Sequence, residues 1–194
     1  MTEFLSEGVR FMKVFRNFIV LSLAIISLSV ISVSAQSLTA SGSNRAIEDQ
    51  VRKKILKLPR YEVFDSISYR VNGDTVTLYG KVRNAINKSD AGRSVKKIAG
   101  VNRVINEIEV LPLGSFDDSI RVRLYRTLSR SGGLSRYLWP VNPSVRLIVD
   151  RGHVELEGFV ASRGDYNTMN ILANGVSGVF SVKNNLVVDS ERVR

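Results

Sequence analysis

The sequence predicts an α+β fold built from two tandem αββαβ domains, and three observations predict it. Residues 67–82, ISYRVNGDTVTLYGKV, return as residues 145–160, VRLIVDRGHVELEGFV, at an offset of 78. The match then runs on without a gap through Gly100 and Gly178, Val101 and Val179, Val104 and Val182, Asn106 and Asn184, Ile108 and Leu186, and Val110 and Val188. So many coincidences at one offset mean an internal duplication. Within each copy, apolar residues alternate, switch to helical spacing, and alternate again.

Residues 1–35 read as an export signal. Arg10, Lys13 and Arg16 precede an apolar run over 18–33, and Val33-Ser34-Ala35 supplies small residues for cleavage after Ala35. The rival reading is an uncleaved membrane anchor, although the run is near the lower limit of about 17 residues for a span and is diluted by four serines. Met12-Lys13 is an alternative start, and residues 36–45 read as a polar linker.

The first domain is expected over 46–111. Ile47, Val51, Ile55 and Leu58 recur at helical spacing, with Glu48 and Asp49 in the first turn, Asn44 as a candidate N-cap and Pro59 as the stop. In the hairpin, Asn72-Gly73 suits a two-residue type I′ turn. That turn pairs Val71 with Asp74, Tyr69 with Val76 and Ile67 with Leu78, so all the apolar side chains share a face. Residues 88–99 form the next helix, with Ala91, Val95 and Ile98 inward, Asn87 or Ser89 at its start and Gly100 closing it. Residues 101–110 form the third strand, with Val104, Asn106, Ile108 and Val110 on one face; a right-handed crossover sets it parallel to the second.

Residues 112–116 lead to a second domain over 117–189 and a tail at 190–194. Asp117 and Asp118 open its first helix; Ile120, Leu124 and Leu128 face inward, and Arg121, Arg123, Arg126 and Arg130 lie mostly outside. This helix repeats at an offset of 73 and the hairpin at 78, so five residues are inserted between them. The inserted region, residues 131–143, carries the only tryptophan, Trp139, which is expected to pack over the sheet edge or between the domains. A helix over 165–176 and a strand over 179–188 complete the copy. A core of this size supplies only about 3–5 kcal/mol, so the two units are expected to pack on each other or on a partner.

Catalytic parts are missing. The chain has no cysteine, which removes disulfides, thiol catalysis, cysteine-bound metals and a lipid-modified cysteine at the export site. The one histidine, His153, reads as a solvated turn residue. The pairs Glu107/Glu109 and Glu155/Glu157 alternate with apolar residues and read as the wet side of a sheet. No glycines cluster into a phosphate loop, and Gly80 and Gly158 suggest a bend or a close approach by a helix backbone.

Charge remains. The chain carries 28 Lys and Arg against 18 Asp and Glu, a net +10, and residues 36–194 keep +9 of it. The first domain concentrates Arg52, Lys53, Lys54, Lys57 and Arg60 on one helix and Arg93, Lys96 and Lys97 on the other. Such rows are either solvated faces or anion-binding ones. An exported protein meets anionic lipid, envelope polymers and other proteins rather than nucleic acid. Four basic residues at about 1 kcal/mol each give a Kd of roughly millimolar on an anionic surface.

The repeats resemble BON domains, the family named for bacterial osmotic-shock and nodulation proteins. The resemblance covers about residues 45–189 and rests on Val76, Leu78, Gly80 and Val82 with Gly100, Val101, Val104, Asn106 and Ile108. The same pattern stands again at Val154, Leu156, Gly158 and Val160 with Gly178, Val179, Val182, Asn184 and Leu186. The resemblance implies a small three-stranded sheet with two helices on one face in each domain. It also implies a non-enzymatic envelope module that contacts phospholipid, with no catalytic residues to carry over. Two departures are Asp150-Arg151-Gly152 at the second turn and the insertion.

The expected function is association with anionic phospholipid surfaces through Arg52, Lys53, Lys57, Arg93, Lys96 and Lys97, in membrane maintenance or envelope stress protection, in the periplasm or outside the cell. The alternative is an adaptor that docks an envelope partner through a free sheet edge and the insertion at Arg136, Tyr137, Leu138 and Trp139. No cofactor, metal, small-molecule substrate or nucleic acid is expected.

Overall fold

A computed structural model describes residues 34–189, with side chains from Asn44 onward. It divides into the compact units Met1–Ser43 and Asn44–Arg194, and both repeats lie in the second. The export signal expected over 1–35 lies outside the described residues except for its last two, and so does the tail at 190–194.

Helix α1, Ser34–Leu56, starts well before its apolar stripe. The linker expected over 36–45 and the cap expected at Asn44 are therefore helical. Residues 36–44 hold no proline and only one glycine, so nothing stops a helix nucleated further on from extending through them. Within the second unit, Ile47, Val51, Ile55 and Leu58 are buried as their spacing predicts.

Strands β1 (Ser66–Asn72) and β2 (Thr75–Val82) pair antiparallel, with Asn72 opposite Thr75, Val71 opposite Val76 and Tyr69 opposite Leu78. The turn is therefore Gly73-Asp74 rather than Asn72-Gly73. Gly73 has φ +60 and Asp74 is not among the positive-φ residues, the type II′ pattern that needs only its first turn residue there. The partners slip by two residues, which preserves side-chain parity, so Val76, Leu78 and Val82 still point into the core. The type I′ pattern occurs in the second hairpin, where Arg151 (φ 49) and Gly152 (φ 80) are both positive. There the buried Asp117 carboxylate accepts from the backbone N–H groups of Arg151 and Gly152, each at 2.8 Å. Those bonds hold a backbone conformation that arginine seldom adopts.

Helix α2, Ala85–Lys96, begins three residues earlier than expected because Asn84 caps it, accepting from Ile86 N–H at 2.9 Å. Asn87 is consequently inside the helix and buried, where it donates to Arg60 O and to Asp65. The third strand is split into β3 (Arg103–Asn106) and β4 (Glu109–Val110), both parallel to β2. Val110 is partly exposed rather than inward.

The second repeat runs α3 (Ser115–Arg130), a 3₁₀ turn (Leu134–Tyr137), β5 (Val145–Asp150), β6 (His153–Val160), α4 (Arg163–Asn174) and β7 (Ser181–Val188). The sheet order is β5-β6-β7, with β6 antiparallel to β5 and parallel to β7. Ile120, Leu124 and Leu128 of α3 and Met169 and Ala173 of α4 are fully buried over this sheet. Arg121, expected outside, is buried at 2% exposure: its guanidinium donates to Val149 O at 2.6 Å and to Asp118 at 2.8 Å.

Two repeated residues explain the shared motif. Gly80 (φ +116) and Gly158 (φ +114) lie where a Cβ would sit 2.3 Å from Ser66 O and 2.0 Å from Ser144 O. The close approach is thus made by the neighbouring strand, not by a helix. Asn106 and Asn184 each use both ends of the amide. The NH₂ donates to a helix carbonyl, Lys88 O or Tyr166 O, and the oxygen accepts from the backbone N–H two residues on, Ile108 or Leu186. Each asparagine ties the second helix to the edge strand and satisfies an edge donor.

Candidate functional site

The two repeats dock as their size requires. Residues 61–65 of the first run beside β5, where Leu147 N–H donates to Val63 O at 2.8 Å and Val63 joins the second repeat's core. Arg146 donates to Glu62 O at 2.8 Å and lies 4.2 Å from the Tyr61 ring centroid. Burial raises the Tyr61 phenol above its ordinary pKa and lowers Arg146.

Glu155 and Glu157 do not face solvent as expected. They project from the outer face of the second sheet onto the first repeat, where Lys81 donates to Glu155 at 3.0 Å and Ser66 donates to Glu157. Burial alone would pull Lys81 down, but the hydrogen bond and charge of Glu155, with Asp150 and Glu109, hold its ammonium above the usual value. Ser66 and Lys81 are paired on the outer face of the first sheet, so the outer faces meet at this corner. Helix α3 also meets the first repeat, through the Phe64 and Tyr125 rings at 6.4 Å and the Arg83–Asp118 pair at 3.3 Å.

The cations on α1 and α2 face solvent. Arg52, Lys53, Lys57, Arg93, Lys96 and Lys97 are all exposed. Arg52 pairs with Asp49 at 3.7 Å, with both side chains more than 60% exposed, a geometry that neutralises little. Arg93 pairs with Asp90, and Lys96 donates to Asn102 O. Among the described residues, Lys53, Lys54, Lys57 and Lys97 have no ion pair.

The insertion divides differently. Leu134, Tyr137 and Leu138 are buried in the second core, so the packing role expected of Trp139 falls to them. Trp139 itself is 66% exposed and so is not packed away as expected. Tyr137 Oη donates to Asp165 at 2.7 Å, Arg136 donates to the same carboxylate at 2.8 Å, and Ser162 also donates to it. The Tyr137 hydrogen bond, helped by Ser162 and the Arg136 charge, holds the Asp165 carboxyl below the usual range. Tyr137 and Leu138 are thus committed within the domain, and Trp139 is the expected contact residue most available to a partner. A largely apolar groove of about 450 Å³ lies between α3, the insertion and residues 62–64 of the first repeat, lined by Val63, Phe64, Val122, Tyr125, Leu138 and Pro140 with Glu62 and Arg126.

His153 is exposed at the start of β6, 2.7 Å from Ser181 Oγ, and its ring meets Phe180. Among the described residues no group of His, Cys, Asp or Glu is placed to hold a metal ion, and no helix is long and apolar enough to cross a membrane. One surface escaped the sequence reading: Leu113, Phe116 and Phe180 stand 87%, 47% and 69% exposed around the second turn. The available signal was a difference between the copies, Phe180 standing where the first repeat has Asn102.

No curated protein matches the chain. Among solved structures, the chain is similar to the C-terminal domain of CdsD, the structural protein of the Type III secretion system of Chlamydia trachomatis. That likeness has a TM-score of 0.30 and 15% identity and covers 74% of this chain and 64% of the other, less than two thirds of its length. A second CdsD structure gives a TM-score of 0.27 and 14% identity over 76% of this chain and 95% of the other. Scores this low add nothing to fold or function. The family model for the BON domain matches twice, at residues 43–112 and 116–190. BON domains are non-catalytic binding modules associated with the bacterial envelope. The duplicated fold and both matches place this chain in the BON domain family, as a tandem pair.

Proposed function

We infer that this tandem BON protein is a periplasmic or secreted envelope module that associates with anionic phospholipid surfaces, in membrane maintenance or protection under envelope stress. The binding face is the solvent side of α1 and α2, with Arg52, Lys53, Lys57, Arg93, Lys96 and Lys97. The observation that carries this reading is four exposed lysines, Lys53, Lys54, Lys57 and Lys97, without ion pairs among the described residues. At about 1 kcal/mol each they supply about 4 kcal/mol, enough for millimolar, salt-sensitive association. All six residues of that face belong to the first repeat. Avidity from the pair is therefore not part of the estimate. Co-sedimentation of the full chain with neutral and anionic vesicles at low and physiological salt tests the reading. Binding to anionic vesicles that fades with salt supports it, and equal binding to neutral vesicles contradicts it.

A second reading, docking of an envelope protein through the insertion, is favoured by one observation: Trp139 is 66% exposed and Val141 77% exposed. It predicts salt-resistant binding that Trp139→Ala abolishes.

A further inference from the structure

The fold does not require the aromatic cluster at the second turn, because the first repeat manages without it. At the corresponding position of the first repeat, Asn102 donates through its side chain to Asp74 at 2.9 Å and through its backbone N–H to Asp74 O, also at 2.9 Å. In the second repeat the backbone bond is kept, Phe180 N–H to Gly152 O at 2.8 Å, but the polar pair is replaced by an aromatic ring. Phe180 closes over Gly152, where any Cβ would meet the ring at 2.6 Å, and its ring centroid is 5.7 Å from that of Phe116. Phe116 stands where the first repeat has Ser43. Two aromatics thus replace two polar residues and remain largely in solvent, which is unfavourable unless something covers them.

The neighbourhood indicates what covers them. Leu113, on the link between the repeats, is a ridge between two hollows. One, of about 380 Å³, is lined by Pro112, Phe116, Arg151 and Phe180 and is almost wholly apolar. The other, of about 600 Å³, is lined by Arg60, Glu62, Arg83, Ala85 and Val110. Two carboxylates in these walls are already engaged: Asp117 holds the second turn, and Asp65, buried at 2% exposure, accepts from the backbone of Glu62 and Arg83 and from Asn87. Arg83 is paired with Asp118, so the charges left to meet a ligand are Arg60 and Arg151 against Glu62. Arg83 is 42% exposed beside Asp118, and Arg151 is 75% exposed with only a distant contact to Asp150.

We propose that the ridge at Leu113 and its two hollows dock an acidic segment of another protein that carries apolar anchors. The cationic rim selects for acidic residues. Paired hollows suit alternate side chains of an extended chain. A second copy is disfavoured by its net charge of +10. A bilayer is the poorer occupant because a flat surface resting on the Leu113 ridge would leave both hollows unfilled. This surface is separate from the α1 and α2 cations, so the two readings stand or fall independently.

The test is selection of a displayed random peptide library on the full chain, with counter-selection on a Phe116→Ser/Phe180→Asn variant that restores the first repeat's residues. Leu113→Ser serves as a second variant, since a side chain 87% exposed supports nothing in the fold. The expected result is enrichment of acidic peptides with aromatic or aliphatic anchors whose synthetic forms bind at least tenfold more weakly to both variants. Arg151→Glu weakens them as well. Vesicle binding is unchanged in all three. The proposal is overturned if no such peptides are enriched or if they bind parent and Leu113→Ser equally. It is also overturned if the substitutions abolish vesicle binding, which makes the surface a membrane contact, or abolish self-association, which makes it a homodimer face.

Discussion

Replacing Gly158 with alanine is the sharpest test of the duplicated fold. The new Cβ would lie 2.0 Å from Ser144 O, 3.0 Å from Ser144 C and 3.2 Å from Val145 Cα, all of them backbone atoms that no rotamer change can clear. The residue also has φ +114, a region nearly closed to side chains, which adds about 1–3 kcal/mol of strain. Forced displacement of the paired strand adds about 1–3 kcal/mol more. The expected loss is therefore about 2–6 kcal/mol, a large share of the roughly 5–15 kcal/mol that holds a domain of ordinary stability. Gly73→Ala is the control: its φ of +60 is also positive, but nothing lies within 4 Å of the added Cβ. Only the left-handed strain of about 1–2 kcal/mol applies there. Urea denaturation followed by circular dichroism measures both. If Gly158→Ala costs no more than Gly73→Ala, the close approach between strands is not what the repeated glycine serves.

Asp117→Ala removes the acceptor for two turn N–H groups, one buried and one half-buried, and is expected to cost about 2–3 kcal/mol, with loss of hydrogen-exchange protection at Arg151 and Gly152. Asp165 has a depressed carboxyl pKa in the folded state. Its stabilising contribution is therefore complete above its unfolded value of about 3.9 and is lost as pH falls through the lower folded value. Asp165→Asn should accordingly be less stable than the parent at neutral pH. The difference should shrink below about pH 4, as urea midpoints measured against pH will show, and a constant difference would contradict the anchor.

Strand parity and helix faces were readable because each follows from a local period, whereas the register of the first hairpin was not. Val76, Leu78 and Val82 keep their side even though the turn is misplaced, since a slip of two residues leaves alternation intact. The turn itself was not readable: Asn-Gly and Gly-Asp are both good two-residue turns, and the choice depends on pairing along the whole hairpin. Burial of Arg121 depends on a distant contact with Val149 O, and exposure of Trp139 on which residues of the insertion, Leu134, Tyr137 and Leu138, enter the core of the second repeat. The docking of Val63 into the other repeat is likewise non-local. Of the candidate cations, exposure was legible from helical period alone. Their pairing with Asp49 or Asp90 was foreshadowed by the spacing of three residues in each case.

The measurement that bears most directly on the central claim is the salt-dependent affinity of the full chain for anionic vesicles, compared with a Lys53→Glu/Lys57→Glu/Lys96→Glu/Lys97→Glu variant. Both proteins carry the same residues 1–35, so any contribution from the apolar segment cancels in the comparison. The account predicts that the parent binds at low salt and weakens at physiological salt, and that the variant loses at least tenfold at low salt with unchanged thermal stability. Equal affinity of the two proteins at low salt would contradict the claim that the outward face of α1 and α2 is the membrane contact.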